Sequence, residues 1–420
     1  MRAFFMGAAC LVTVAVMAQP AAEPKPAPPL RPALAWGSFT PNLPVVFLTV
    51  TNPLSRETPV PALMQLAYPP GSRQGVTNAL PLQLRYHGAT SLGFPKKSYR
   101  LSLSNAVPLL GMSRKSGWVL NAAYIDRSLM RHKLAYDIFR SFSEPRAPRH
   151  AADSRFVEVY LNQRYQGVYL LMERVDRQLL GLRPFHSNDF SHSVIYKAED
   201  HAANFGQSGR GGFEQREPDP ERKEYWRPLE LFTRFTSSAS PQEFWDAERG
   251  IAHRLDLGNA IDFHILVQVT ANSDGITKNF LLARDGQESG PQTNKFFFVP
   301  WDYDGTFGRN WNATPYPHNV WLSNPLFDRL MQKAEYRQRF IARWKQLRAG
   351  PLAEATLVAM MDANVKTLGE AVQRNLQRWP TDRGGYPDRL TFEQDIEQMK
   401  TWLARRLQWL DQEIARRERQ

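Results

Sequence analysis

Cysteine is almost absent from this chain. Its single copy, Cys10, lies inside an apolar N-terminal run. A product cleaved after that run has no thiol at all, which excludes disulfides, a thiolate metal site and a cysteine nucleophile. Other signatures are missing too. No His-Glu-x-x-His and no Gly-x-Ser-x-Gly occurs, so neither a zinc-hydrolase helix nor a serine-hydrolase elbow is indicated. The Gly-rich stretch 206–212 is not followed by Gly-Lys-Ser/Thr and so is no Walker A loop. The net charge is +12, yet its arginines are scattered, with no basic run interleaved with aromatics. That pattern argues against a nucleic-acid partner and for a basic, solvated surface.

What is present begins with a leader. Arg2 precedes the apolar segment 4–18, and Val16-Met17-Ala18 offers small residues for cleavage. The expectation is a signal peptide over 1–18 and export to the periplasm, the cell envelope or the medium. The segment is short for a bilayer span, and no later one is long and apolar enough, so no membrane span is expected after cleavage. A Pro/Ala-rich tether is expected over 19–44.

From 45 to about 175 the pattern is mainly strand, in 45–50, 80–86, 98–103, 156–161 and 167–172, with a hairpin turn between the last two. One helix over 128–139, with Asp126 as its N-cap, interrupts them. Residues 184–224 are polar and Gly-rich and read as an insertion or lid. Helices are expected over 226–236, 241–250 and 254–270, a strand pair at 280–283 and 295–299, and amphipathic helices from about 320 to 420. The fold class is α+β. A small β-rich lobe with one helix (45–175) precedes a larger, mostly helical lobe (176–420), with a cleft between them suited to a nucleotide.

The chemistry concentrates in two segments, Asp274-Gly-Ile-Thr-Lys-Asn279 and Trp301-Asp-Tyr-Asp304. An Asp, an Asn five positions on, and a second Asp after an apolar strand is the order that protein kinases use. Neither His-Arg-Asp nor Asp-Phe-Gly is present, so the correspondence lies in chemistry and spacing. In this reading Asp274 is the carboxylate beside the attacking hydroxyl. Asn279 and Asp302 ligate Mg²⁺ or Mn²⁺ through oxygen, and Asp304 stands close enough to help. Lys96 and Lys97, at the entrance of a strand, are candidates to pair with nucleotide phosphates, with Asp126 or Asp137 as acidic partner. Glu173 ends the last strand of the first lobe, where backbone contacts would meet the base.

These segments, with Arg85-Tyr-His-Gly-Ala-Thr-Ser…Phe-Pro-Lys-Lys-Ser-Tyr-Arg-Leu101, Asp126–Ala135 and Val157–Glu173, resemble the spore-coat-protein CotH family of atypical protein kinases. The likeness spans roughly 45–345. Arg85-Tyr-His-Gly departs from the family's usual Arg-Gly at that loop. The resemblance implies a kinase-like fold, ATP with Mg²⁺ or Mn²⁺, and phosphorylation of Ser or Thr on secreted or envelope proteins. It also implies Asp274 as catalytic Asp, Asp302 as metal-binding Asp with Asn279 beside it, and Lys96 or Lys97 as the nucleotide lysine. Two other functions use the same residues: a catalytically silent surface protein that binds a partner, and transfer of AMP rather than phosphate.

Overall fold

The computed structural model describes residues 40–72, 75–185, 193–286, 294–380 and 389–419; the expected leader and most of the expected tether lie outside them. The last tether residues, 40–44, are already docked. Leu43 is buried, and Asn42 Nδ2 donates to the Leu368 carbonyl at 2.9 Å.

Seven strands close into a barrel: β1 (Val45–Val50), β2 (Val60–Ala67), β3 (Leu80–His87), β4 (Ser98–Pro108), β5 (Arg114–Asn121), β6 (Ser154–Leu161) and β7 (Arg164–Glu173). Their order is β1-β2-β3-β4-β5-β7-β6, and a parallel β1–β6 pairing seals the ring. Alternation drives closure, because every second residue points inward. Val46, Leu48, Met64, Leu84, Leu101, Trp118, Leu120, Val159 and Leu171 fill the interior. The β6–β7 turn holds Asn162 and Gln163 at φ 46° and 65°, the left-handed pair of a tight hairpin. Asn162 also bridges to β1, accepting from Val50 N–H at 2.9 Å and donating to its carbonyl at 2.7 Å.

Helix α1 (Arg131–Ser141) follows β5. It starts later than expected. Asp126 is not its N-cap, yet its Oδ2 accepts from the first helical N–H, that of Arg131, at 2.8 Å. Leu134, Ile138 and Phe139 of α1 join Phe156, Val168, Leu170 and Met172 of the outer barrel wall in the main core.

Beyond the barrel lies a four-stranded antiparallel sheet, β8 (Val194–Ala198), β9 (Phe213–Glu217), β10 (Phe280–Arg284) and β11 (Phe297–Pro300), ordered β11-β10-β8-β9. The expected polar insertion at 184–224 therefore supplies two strands. Val194, Ile195, Tyr196 and Ala198 are buried, and this short apolar set outweighs the Gly-rich composition around it. Helices α2 (Arg227–Ser238), α3 (Pro241–Phe244) and α4 (Leu257–Thr270) follow, α3 much shorter than expected. From Asn259 to Thr270 α4 is buried on every side, so it forms the axis of the helical part. Helices α5 (Pro325–Gln332), α6 (Ala334–Arg348), α7 (Glu354–Leu368), α8 (Ala371–Arg378) and α9 (Phe392–Glu418) complete the chain. The α+β class is observed, β-rich first and helical after. Closure of the strands into a barrel is a feature the sequence reading does not contain. No helix among the described residues is long and apolar enough to cross a membrane.

Candidate functional site

A cavity of about 490 Å³ lies against the outer wall of β3, β4, β5 and β7, facing the second sheet and the loops after α4 and β11. Cross-strand register builds the wall: Arg85 stands opposite Arg100, Arg100 opposite Val119, and Val119 opposite Met172. All four line the cavity.

Helix α4 ends at Ala271, which turns left-handed at φ 48° and starts the loop that carries Asp274. Asn272 Oδ1 accepts from Gly275 N–H at 2.8 Å, and a Cβ on Gly275 would lie 2.6 Å from that same side chain. A side chain there would push the Asn272 amide off this bond. The Asp274 carboxylate meets Lys278 Nζ at 3.1 Å and lies 3.8 Å from His201 Nε2. Asn279 sits at φ 57°. Its N–H donates to the Ala198 carbonyl of β8, and its carbonyl accepts from Trp301 N–H after β11.

Asp302 is also left-handed, at φ 56°, and its N–H donates to Tyr136 Oη at 3.0 Å. Its Oδ1 lies 3.1 Å from His132 Nε2 of α1. The carboxylate is 45% exposed, but to a recess walled by protein. Burial alone would raise the Asp302 carboxyl; His132, Lys197 and His87 hold it below the ordinary range. Burial likewise disfavours a charged His132, but the bond to Asp302 and the charge of Asp304 lift it above its usual value. Asp304 is pushed up to about 7 by burial and by the Asp302 charge. Left-handed Ala271, Asn279, Asp302 and Phe307 concentrate backbone strain here, as functional sites do.

Of the residues singled out in the sequence, Asp274, Asn279, Asp302, Asp304 and Lys96 line this cavity. Lys97 and Glu173 do not. Lys97 Nζ donates to the Leu92 carbonyl. Glu173 is buried and accepts from Ser113 N–H at 3.1 Å and Asp153 N–H at 3.2 Å. Lys96 Nζ donates to the Val168 carbonyl and, at 3.0 Å, to Asn375 Oδ1 of α8. Burial drives its pKa well below the usual lysine value. The two candidate acidic partners are engaged elsewhere. Asp126 pairs with Arg131 at 2.6 Å, and Asp137 with Lys133 at 2.9 Å and with Arg140.

His132, Arg100, Trp311 and a charged network on the second sheet also line the cavity, and none of them stands out in the sequence. In that network Lys197 Nζ lies 2.7 Å from Glu199, and Arg216 lies 3.0 Å from Glu199 and 2.9 Å from Glu214. Its only sequence signal is alternation within two short strands, masked by polar surroundings.

The cavity's candidate ligands are all oxygen donors, two carboxylates and one amide, and this set suits a hard divalent cation. No three His, Cys, Asp or Glu side chains among the described residues converge on one point. Such a cation would keep coordination positions for water and phosphate oxygens, as Mg²⁺ characteristically does.

A sequence model of the family described as "CotH kinase protein" matches residues 84–410. The inner spore coat protein H of Bacillus subtilis (strain 168) is 26% identical over 333 residues, covering 76% of this chain and 81% of that protein.

Proposed function

Because the chain belongs to the CotH kinase protein family, we propose that it is an extracytoplasmic, ATP-dependent kinase of Ser and Thr hydroxyls on secreted or envelope proteins. The barrel and the helical part then correspond to the two lobes of a kinase. One observation carries the reading. Asp274 and Asn279 of one short segment and Asp302 and Asp304 of another line a single cavity. The apolar N-terminal segment and the coat-protein name of the relative support a location outside the cytoplasm.

Asn279, Asp302 and Asp304 would hold Mg²⁺ or Mn²⁺, which when bound neutralises phosphate oxygens and orients the triphosphate. Asp274 accepts the proton of the acceptor hydroxyl as its oxygen bonds to the γ-phosphorus and the bond to the β-phosphate oxygen breaks. ADP leaves, and the proton passes from Asp274 to water. Lys278, 3.1 Å from Asp274, orients that carboxylate. His132 orients Asp302 from α1.

A second reading, a silent binding protein, has one observation in its favour. Neither Lys96 nor Lys97 has a carboxylate partner among the described residues. Incubation with γ-labelled ATP, Mg²⁺ or Mn²⁺ and dephosphorylated casein separates the two. Kinase activity predicts label on casein or on the chain itself, reduced roughly 100- to 10,000-fold in Asp274→Ala and lost in Asp302→Ala. No label from the wild type, with no metal-dependent nucleotide binding, favours the silent protein.

A further inference from the structure

Arg85 and Arg100 face each other directly across the β3–β4 ladder, on the cavity wall. Like charges directly opposite on an antiparallel pair are destabilising. Nothing among the described residues relieves them by an ion pair. Among the described residues Arg85 Nη1 donates to the Arg56 carbonyl at 3.0 Å and the Arg100 guanidinium makes no hydrogen bond, with the charge of Asp219 alone offsetting part of the repulsion on it. Burial, then the charges of Arg174, Arg85 and Arg216, pull Arg100 down to about 10. Across the cavity, the second sheet presents Lys197 and Arg216, both held by Glu199. Lys197 also lies over the Trp301 ring at 5.4 Å, beside Asp302. Burial, then the charges of Lys197, Arg100 and Arg216, lower the pKa of His87, two residues beyond Arg85 on β3, to about 4 against the opposing charge of Asp302.

We infer that Arg85 and Arg100 of the barrel and Lys197 and Arg216 of the second sheet form a two-walled subsite for phosphate oxyanions. Guanidinium forks match phosphate oxygens in pairs, and Lys197, whose charge acts on the Asp302 carboxylate, adds a point charge. Glu199 is the acidic partner that orients Lys197. The subsite explains why neither Lys96 nor Lys97 needs to meet phosphate. The inference rests on the proposed function for its nucleotide, but its chemistry is that of any clustered phosphate, carried either by a nucleoside triphosphate or by a phosphorylated polypeptide.

Isothermal titration of the full chain tests it, with ATP, inorganic tripolyphosphate and a phosphoserine peptide as separate titrants. The variants are Arg100→Gln and Lys197→Met. Arg249→Gln, whose side chain is 84% exposed outside the cavity, controls for net charge. The expected result is tripolyphosphate binding weakened roughly tenfold or more in the two cavity variants and unchanged in the control. A parallel loss for ATP assigns the anion to the nucleotide. A parallel loss for the phosphoserine peptide, with ATP binding unaffected, assigns it to a phosphorylated polypeptide. Wild-type binding of tripolyphosphate without ATP keeps the subsite and removes the nucleotide reading. Equal affinity in all variants, or no anion binding by the wild type, overturns the inference. Unchanged melting temperatures exclude misfolding as the cause of any loss.

Discussion

Replacing Asp395 by Ala should destabilise this protein by about 3 kcal/mol, through an ion network that also braces the candidate site. Asp395 sits on α9, fully buried, and accepts from Arg131 Nη1 at 2.6 Å and Nη2 at 2.8 Å. Arg131 is buried as well, pairs with Asp126 at 2.6 Å, and donates from Nε to the Thr306 carbonyl at 3.0 Å. Breaking a buried pair by removing one partner costs about 3–5 kcal/mol, because the other charge stays desolvated. Asp126 still compensates part of the Arg131 charge, so the lower end applies. Urea unfolding should show the midpoint fall with an unchanged slope. Lys345→Ala, which removes an exposed pair with Glu418, should cost about 0–1 kcal/mol. An Asp395→Leu, Arg131→Met double variant should not recover the loss, since it leaves the buried Asp126 carboxylate without its cation. The pH dependence has a fixed sign. Burial opposes ionisation of Asp395, but the charge and hydrogen bonds of Arg131, with Arg309, hold its carboxyl below the ordinary range. A depressed folded-state pKa contributes stability that is present above about pH 4 and lost as pH falls through the folded value. The gap between wild type and Asp395→Ala should therefore close in acid. A gap under about 1 kcal/mol at neutral pH would refute the reasoning, as would one that widens in acid.

Other positions give sharp expectations. His132→Ala removes the side chain that orients Asp302 and should weaken Mn²⁺ binding about 10- to 100-fold in the presence of ATP, read by calorimetry; unchanged affinity would remove His132 from the site. Gly167, at φ 93°, has no room for a Cβ, which would lie 2.5 Å from Asn375 Oδ1. Gly167→Ala should therefore cost about 1–3 kcal/mol in urea unfolding, and a neutral result would contradict the docking of α8 on β7. Glu214 is pushed up to about 7 by burial and by its hydrogen bond with Glu199, which drops to about 2. The raised value means that Glu214 contributes less stability as pH rises from about 4.5 towards 7. A Glu carboxyl ¹³C resonance titrating near pH 7 should move to lower pH in Glu199→Gln, and an unchanged titration would refute the Glu214–Glu199 hydrogen bond.

Local patterns made part of this fold legible. β1 coincides with its expected span, because Val45–Val50 is a continuous apolar, β-branched run. β5 escaped notice because Arg114-Lys115-Ser116-Gly117 reads as polar, although Lys115 is buried against Asp176 at 3.2 Å. β8 and β9 escaped because their neighbours are rich in glycine and charge. At the site, Asp274, Asn279, Asp302 and Asp304 were legible from order and spacing along two short segments. His132, Arg100, Lys197 and Glu199 were not. They reach the cavity through barrel closure, the packing of α1 and the pairing of β8 with β10, contacts between distant residues that no local period encodes. Lys96 shows the converse: it stands just before β4, as the sequence pattern predicts, but its Nζ turns to the Val168 carbonyl and to α8.

The most direct test of the central claim sets γ-labelled beside α-labelled ATP, with the wild type and Asp302→Ala, followed by acid hydrolysis of the labelled protein. The account predicts γ label recovered as phosphoserine or phosphothreonine, no α label, and neither in Asp302→Ala. Label from the α position would make the site a nucleotidyl transferase. Label that survives in Asp302→Ala would contradict the assignment of this cavity as the catalytic centre.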